Sequence, residues 1–285
     1  MTYQDYKIYF TKEISESYTD SESSMLYDIF VHHLTTWNLV EFRKAMNQEI
    51  EQQHSLELQN IILQLKTGKP YQQILCETEF YGLKFFVDEH VLIPRPETEE
   101  LLELAIAKIK DSGLAKKDLN ILDIGTGSGI IPIVLKKRFP EAKISAIDFS
   151  ENALQTAKRN ADFHQVGINF IHQDYLKSDL TDVYDVIISN PPYIGMEEED
   201  EIADSVKQFE PKMALFSPTS NALIFYEKIA EDCKSHLAEN GFVFLEINQK
   251  LGKETLELFT DVLSETELIK DLSGNERFVW GRKLK

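Results

Sequence analysis

The chain has 285 residues, with 48 acidic side chains against 30 basic ones and a formal net charge of −18. That length supports two domains and a sizeable core, and the acidic balance argues against a nucleic-acid binder, which ordinarily shows a basic face whose counterion release drives association. No apolar run approaches membrane-spanning length and no cationic-then-apolar segment opens the sequence, so a cytoplasmic protein without membrane contact is expected.

From Ser24 to Lys66 apolar residues recur at helical spacing: Leu26, Ile29, Phe30 and Leu34, then Leu39, Phe42 and Met46, then Leu56, Leu58, Ile61, Ile62 and Leu65. Gly68-Lys69-Pro70 ends this stretch, which reads as a small helical domain over 1–75. His32 and His33 are adjacent, so on a helix they point in different directions, and the seven histidines form no ligand pattern. Cys76 and Cys233 lack metal or redox spacing. No metal is expected. Thr78 to Ile93 alternates around Gly82 and reads as a β-hairpin, making 76–95 a linker. Glu97 to Lys110 then reads as a helix feeding a catalytic sheet, and 96–285 as the second domain.

Asn120-Ile121-Leu122-Asp123-Ile124 alternates like a strand and runs into Gly125-Thr126-Gly127-Ser128-Gly129, followed by an apolar helix with Pro132 in its first turn. Glycines between strand and helix permit a tight turn and close approach of a ligand to the backbone. The third glycine comes two positions after the second, where the dinucleotide fingerprint wants three, and no Lys-Ser/Thr pair follows for a phosphate-cradling loop. A second strand, Lys143 to Asp148, ends in a carboxylate about 20 residues on, placed to accept from both hydroxyls of a ribose. Asp148 could also be a plain N-cap of the helix from Ser150 to His164. A third strand, Asn169 to His172, leads into Gln173-Asp174-Tyr175, placed to flank an adenine by hydrogen bond and stacking.

Tyr184 to Ser189 reads as a buried strand, and Asn190-Pro191-Pro192-Tyr193 stops it. The prolines fix φ and remove backbone donors, leaving carbonyls that face outward without competing N–H groups. The tetrapeptide is either an ordinary strand-ending turn or a cup of acceptors: the Asn190 side-chain oxygen and the Pro191 carbonyl, with Tyr193 as an aromatic wall. Such a cup suits a planar NH2 group on an sp² carbon. Glu197-Glu198-Glu199-Asp200-Glu201 follows, either a solvated loop or an acidic lip that attracts a basic protein. The last strands are Phe242 to Ile247, Glu267 to Lys270 and Arg277 to Trp280. Glycine loop, ribose acid, adenine side and cup all fall at the carboxyl ends of successive strands, where open parallel sheets bind ligands. Without a phosphate clamp, S-adenosylmethionine fits better than a dinucleotide.

Asp-Ile-Gly-Thr-Gly-Ser-Gly paired with Asn-Pro-Pro-Tyr resembles the Rossmann-like methyltransferases that modify planar amino groups. Further stretches are similar to the release-factor glutamine N5-methyltransferases: Gly68 to Ile74, Glu79 to Leu83, Leu92-Ile93-Pro94-Arg95-Pro96-Glu97-Thr98-Glu99, Phe209-Glu210-Pro211, Gly241 to Glu246 and Gly274 to Arg277. The resemblance runs from about residue 66 to the end; Cys76 stands where a glycine belongs, in an interdomain turn. It implies an α/β class I S-adenosylmethionine-dependent methyltransferase, a doubly wound, mostly parallel seven-stranded sheet whose final strand is antiparallel. It implies a cofactor site of Gly125, Thr126, Gly127, Ser128, Gly129, Asp148, Tyr175 and Asn190. Catalysis falls to Asn190, Pro191 and Tyr193, and substrate binding to these and Pro192. The implied substrate is the glutamine of the Gly-Gly-Gln tripeptide in class 1 peptide-chain release factors, with the helical domain as a docking surface. A ribosomal-protein glutamine and, more distantly, adenine N6 of DNA or RNA remain open.

Overall fold

The computed structural model describes residues 1–114, 118–195, 198 and 203–284. The chain divides into two units, Met1–Cys76 with Asp204–Phe209, and Glu77–Ala203 with Glu210–Lys285.

The first unit is helical: α1 (Tyr3–Glu13), α2 (Asp20–Thr35), α3 (Leu39–Ala45), α4 (Gln52–Lys66) and α5 (Tyr71–Leu75). Capping boxes start three of them, Thr2 with Asp5, Thr19 with Glu22, and Asn38 with Glu41, each satisfying backbone donors that a helix start leaves free. Tyr3, Phe10, Tyr27, Phe30, Leu58 and Leu65 form its core, each contributing on the order of 1.5–3 kcal/mol by leaving water. The Tyr27 hydroxyl inside that core donates to the Tyr3 carbonyl at 2.7 Å. Cys76 caps α5 in the left-handed region, at φ 57°. The short helix Asp204–Phe209 belongs to this unit, and Gln73 Nε2 donates to the Phe209 carbonyl at 2.7 Å.

The second unit opens with a hairpin, β1 (Glu77–Phe80) and β2 (Leu83–Phe86), turned by Tyr81 and Gly82, both at positive φ. Two left-handed residues in a two-residue loop match the right-handed twist of the flanking strands. The hairpin ends at Phe86 and does not extend to Ile93. Beyond Leu83–Phe86 the pairing is replaced by a side chain: Asn160 accepts the Phe86 N–H at 2.7 Å and donates to the Phe86 carbonyl at 2.9 Å.

The remaining elements are α6 (Pro96–Asp111), β3 (Asn120–Ile124), α7 (Ile130–Arg138), β4 (Lys143–Asp148), α8 (Glu151–His164), β5 (Asn169–His172), β6 (Tyr184–Ser189), α9 (the Asp204–Phe209 helix of the first unit), α10 (Lys212–Leu215), α11 (Ile224–His236), β7 (Leu237–Glu246), α12 (Gly252–Thr260), β8 (Glu265–Lys270) and β9 (Glu276–Arg282). The seven-stranded sheet has the order β5-β4-β3-β6-β7-β9-β8. All neighbours are parallel except β9, which runs antiparallel to both β7 and β8.

Successive residues of a strand serve opposite faces. Ile121, Val186, Ile188, Phe242 and Phe244 join the apolar layer under α6 and α7, while Leu122, Ile124, Ile187, Val243 and Leu245 join the layer under α11 and α12. Strands buried on both faces are why these runs read as continuously apolar. The chain travels outward through β3, β4 and β5, then returns to place β6 on the other side of β3. That reversal leaves a crevice at the carboxyl ends of β3 and β6, the ligand position of open α/β sheets. Among the described residues, no helix is long and apolar enough to cross a membrane.

Candidate active site

The loop after β3 carries Gly125, Gly127 and Gly129, all at positive φ. Gly125 and Thr126 N–H both donate to the Ile147 carbonyl, at 2.9 and 3.0 Å, which folds the loop back over the end of β4. Gly129 is the N-cap of α7, and a Cβ there would meet Ala157 Cβ of α8 at 3.0 Å, so glycine is required by closeness as well as by φ 79°. Asp148 ends β4. Its Oδ2 accepts the Gly127 N–H and its Oδ1 the Ser150 N–H, each at 2.8 Å. The helix cap itself is Ser150, whose hydroxyl accepts the Ala153 N–H. Asp148 is therefore no N-cap; its carboxylate faces the loop. Burial raises its pKa, against the lowering effect of the Ser150, Gly127 and Phe149 amides.

Asp123, inside β3, is fully buried, and neither carboxylate oxygen has a hydrogen-bond partner among the described residues. Thr126 Oγ1 is likewise buried without one. Burial pushes the Asp123 carboxyl up to about 7, the Asp148 charge adding to the shift. Orphaned buried acceptors beside a glycine loop are what a polar ligand or bound water completes. Asp123 itself does not line the cavity; the free faces of the loop and the Asp148 carboxylate do, and they fit an adenosine-bearing sulfonium amino acid, which offers hydroxyls and an ammonium group.

At the end of β5, Tyr175 is 4% exposed, and its hydroxyl donates to Asp232 Oδ2 at 2.7 Å, with Lys228 paired to the same carboxylate. Burial, then Asp232, raise its pKa well above the ordinary phenol value. Its hydroxyl is thus committed to the protein, and the ring serves as wall. Phe149, which the sequence reading passed over, is 57% exposed and also lines the cavity.

The cup sits where β6 stops. Ser189 Oγ donates to the Ile124 carbonyl at 2.6 Å, tying the end of β6 to β3. A Cβ on Gly125 would lie 3.9 Å from the Asn190 carbonyl, so loop and cup are in van der Waals reach. Asn190 Nδ2 donates to Thr98 Oγ1 at 3.2 Å, which makes Oδ1 the acceptor end of that side chain. Asn248 Nδ2 donates to the Tyr193 carbonyl at 3.3 Å and to Glu198 Oε1 at 2.8 Å.

A cavity of about 830 Å³ joins these groups: Gly125, Thr126, Gly127, Ser128, Asp148, Tyr175, Asn190 and Pro192 all line it. Gly129, Pro191 and Tyr193 do not. Pro191 is buried, and the Tyr193 ring packs on the apolar layer under α11 and α12. The aromatic wall expected from Tyr193 is thus turned to the core. Burial raises the Tyr193 phenol well above its ordinary value.

Of the acidic run, Glu197, Glu199, Asp200 and Glu201 lie outside the described residues. Glu198 is described, and it is partnered: Oε1 accepts the Gly195 N–H at 3.0 Å and Oε2 lies 3.0 Å from Lys250 Nζ. Burial opposes its charge, yet Gly195, Lys250 and Asn248 together hold its carboxyl below the usual value. Two further polar pairs include the cavity-lining residues Thr98 and Arg95. Thr98 and Glu246 are buried and bonded to each other, and Arg95 is paired at 2.7 Å with buried Glu210. The available signal was an acid placed in an otherwise apolar strand, as at Asp123 and Glu246, since charged residues are rarely buried without purpose.

A family model described as the methyltransferase small domain matches residues 105–209. The chain is 41% identical over 282 residues to a release factor glutamine methyltransferase from Flavobacterium psychrophilum, covering 98% of each chain. It is 38% identical over 249 residues to one from Streptococcus pneumoniae, covering 86% of this chain and 87% of that one. Among solved structures, a methyltransferase from Pyrococcus furiosus is similar at a TM-score of 0.51 and 17% identity, over 79% of this chain and 99% of that one. The expected fold, a class I S-adenosylmethionine-dependent methyltransferase, is borne out.

Proposed function

Because the chain belongs to the release factor glutamine methyltransferases, we propose that it transfers the methyl group of S-adenosylmethionine to N5 of the glutamine in the Gly-Gly-Gln tripeptide of class 1 peptide-chain release factors, in the cytoplasm. The observation that carries this reading is the single cavity that runs from Asp148 and the glycine loop to Asn190. One end suits a nucleoside; the other ends in an acceptor sized for an amide.

S-adenosylmethionine supplies a methyl group on a sulfonium, an electrophilic carbon ready for in-line transfer. Gly125 to Ser128 and Asp148 would hold it, with Gly129 closing the loop onto α8 behind them and Tyr175 as a wall. An amide nitrogen is a weak nucleophile, because its lone pair is delocalised into the carbonyl, so the residues at the cup have two tasks. They orient the nitrogen, and they stabilise positive charge that develops on it. Asn190 Oδ1, which lines the cavity, and the Pro191 carbonyl, which follows it in the chain but does not line the cavity in this structure, are assigned to accept the two N–H bonds of the substrate amide. Holding both hydrogens fixes the nitrogen and favours its pyramidalisation. Orientation of this kind contributes several kcal/mol, and fixed dipoles on the order of 3–4 kcal/mol more. No base is needed before transfer, since the proton becomes acidic only after the methyl group arrives, and it then leaves to water.

The net charge of −18 supports a protein substrate over a nucleic acid. The helical unit serves as the docking surface for it. The test is transfer of labelled methyl to a purified release factor, a ribosomal protein and an oligonucleotide in parallel. Label on the release factor alone, abolished when its acceptor glutamine is replaced, supports the reading. Label on either of the others in preference overturns it.

A further inference from the structure

Asn190 is aimed by two residues that lie behind it. Its Nδ2 donates to Thr98 Oγ1 at 3.2 Å, and the Thr98 hydroxyl donates to Glu246 Oε2 at 2.7 Å. Thr98 and Glu246 are 2% and 1% exposed, so water does not compete for either group. A carboxylate can only accept, and threonine has one hydroxyl hydrogen. With that hydrogen given to Glu246, Thr98 turns a lone pair to Asn190, and only the NH2 end of the carboxamide satisfies it. The two ends of an asparagine amide are nearly the same size, so shape alone does not choose between them. Chemistry does choose here.

We propose that Glu246, acting through Thr98, fixes the flip state of Asn190 so that its oxygen, and not its NH2 group, meets the substrate amide. Thr98 and Glu246 are positioning residues for methyl transfer. The inference rests on the reading of Asn190 as the substrate acceptor. In the opposite flip state, donor would face donor and the substrate nitrogen would lose one of its two anchors.

The groups around Glu246 come from several elements: Thr98 and Glu97 from α6, Asn190 at the end of β6, Tyr193 beyond it, Tyr226 from α11 and Arg277 from β9. The Tyr226 hydroxyl donates to the Glu246 backbone carbonyl at 3.1 Å, leaving the carboxylate to Thr98 and to the NH2 end of Asn190, which also favours its charge. Burial pushes the Glu246 carboxyl up to about 7; Thr98, Arg277 and Asn190 favour the charge and Glu97 opposes it. Once protonated, Glu246 can donate to Thr98, whose own hydrogen then turns to Asn190 and calls for the opposite flip. Activity should therefore decline on the acid side of about pH 7.

The experiment compares kcat, KM and S-adenosylmethionine affinity for Thr98→Val, Thr98→Ser, Glu246→Gln, Asn190→Ala and the Asn190→Ala/Thr98→Val double variant. Thr98→Val should lower kcat about 10- to 100-fold, less than the roughly 10²- to 10³-fold for removing a preorganised polar group itself, with S-adenosylmethionine affinity unchanged as proof of folding. Thr98→Ala replaces it should the valine variant not fold. Thr98→Ser, which keeps the hydroxyl, should restore turnover. Glu246→Gln should remove the acid limb of the kcat profile. In the Asn190→Ala background, Thr98→Val should have no further effect, because the residue it positions is gone. An impaired Asn190→Ala with a Thr98 effect that multiplies, or a Thr98→Val of normal kcat, overturns this inference alone. An Asn190→Ala variant of normal turnover overturns the acceptor reading, and this inference with it.

Discussion

The Gly127 N–H donates to Asp148 Oδ2 at 2.8 Å, so a carboxylate at the end of one strand holds the loop that follows another. The same group takes the Ser150 amide on its other oxygen. Asp148 thus lines the cavity and at the same time clasps the loop that forms its wall.

Replacement of Asp148 by alanine should therefore weaken S-adenosylmethionine binding first. Loss of hydrogen bonds to a charged group costs about 1.5–3 kcal/mol, or roughly 10- to 100-fold in Kd. Titration calorimetry reads it directly. Undiminished affinity would remove Asp148 from the ribose site.

Asn190→Ala should show the reverse pattern. Turnover should fall by roughly 10²- to 10³-fold, the scale for loss of one preorganised polar group, while cofactor affinity holds. Single-turnover transfer of labelled methyl to a release factor is the measurement. A normal rate would dismiss the cup as the amide site.

Asp123 gives a stability prediction with a definite sign. Its folded pKa is raised by burial to about 7, from an ordinary 3.8. In the window between those values the folded state holds a proton that the unfolded state has lost. Its contribution is fully present below about 3.8 and is lost as pH rises through about 7. Asp123→Asn should accordingly raise Tm most at pH 8, with the gain shrinking toward pH 5. Melting curves of the apo protein across that range decide it; a gain that grows on the acid side would contradict the assignment.

Cys76 occupies a left-handed helix cap at φ 57°. That conformation costs a side-chain-bearing residue about 1–2 kcal/mol, while glycine loses roughly 0.4–1 kcal/mol through a freer unfolded chain. Cys76→Gly should thus stabilise by roughly 0.5–1 kcal/mol, seen as a higher midpoint in denaturant. A lower midpoint would show that the cysteine side chain has a packing role at the cap.

The sheet and its ligand edge were legible because their signals are local. The alternation of Asn120–Ile124, the glycines after it, the acid ending Lys143–Asp148 and the prolines after Ser189 each specify a strand end within a few residues. Helix α1 was harder to see. It buries Tyr3, Tyr6 and Phe10, aromatic residues with helical spacing but polar hydroxyls on two of them. The hairpin was read too long, since nothing in 87–93 announces that Asn160 will take the backbone groups of Phe86. The same holds for Thr98 and Glu246, which are separated by 148 residues and meet only through the order of the sheet. Tyr193 had the right chemistry for a wall, but which way its ring turns is decided by the apolar layer beneath it. Sequence spacing carries no such information.

Strand β9 lies between β7 and β8, so within the seven-stranded sheet β8 pairs only with β9. The two therefore form one antiparallel ribbon joined to the rest of the sheet through β9, and a lesion in β9 detaches both. That ribbon pairs Phe278 with Glu246 and brings Arg277 beside it. Strand β9 thus supplies part of the electrostatic surroundings of Glu246: a protein with a frayed ribbon would keep the glycine-loop end of the cavity and lose Arg277 from beside that carboxylate.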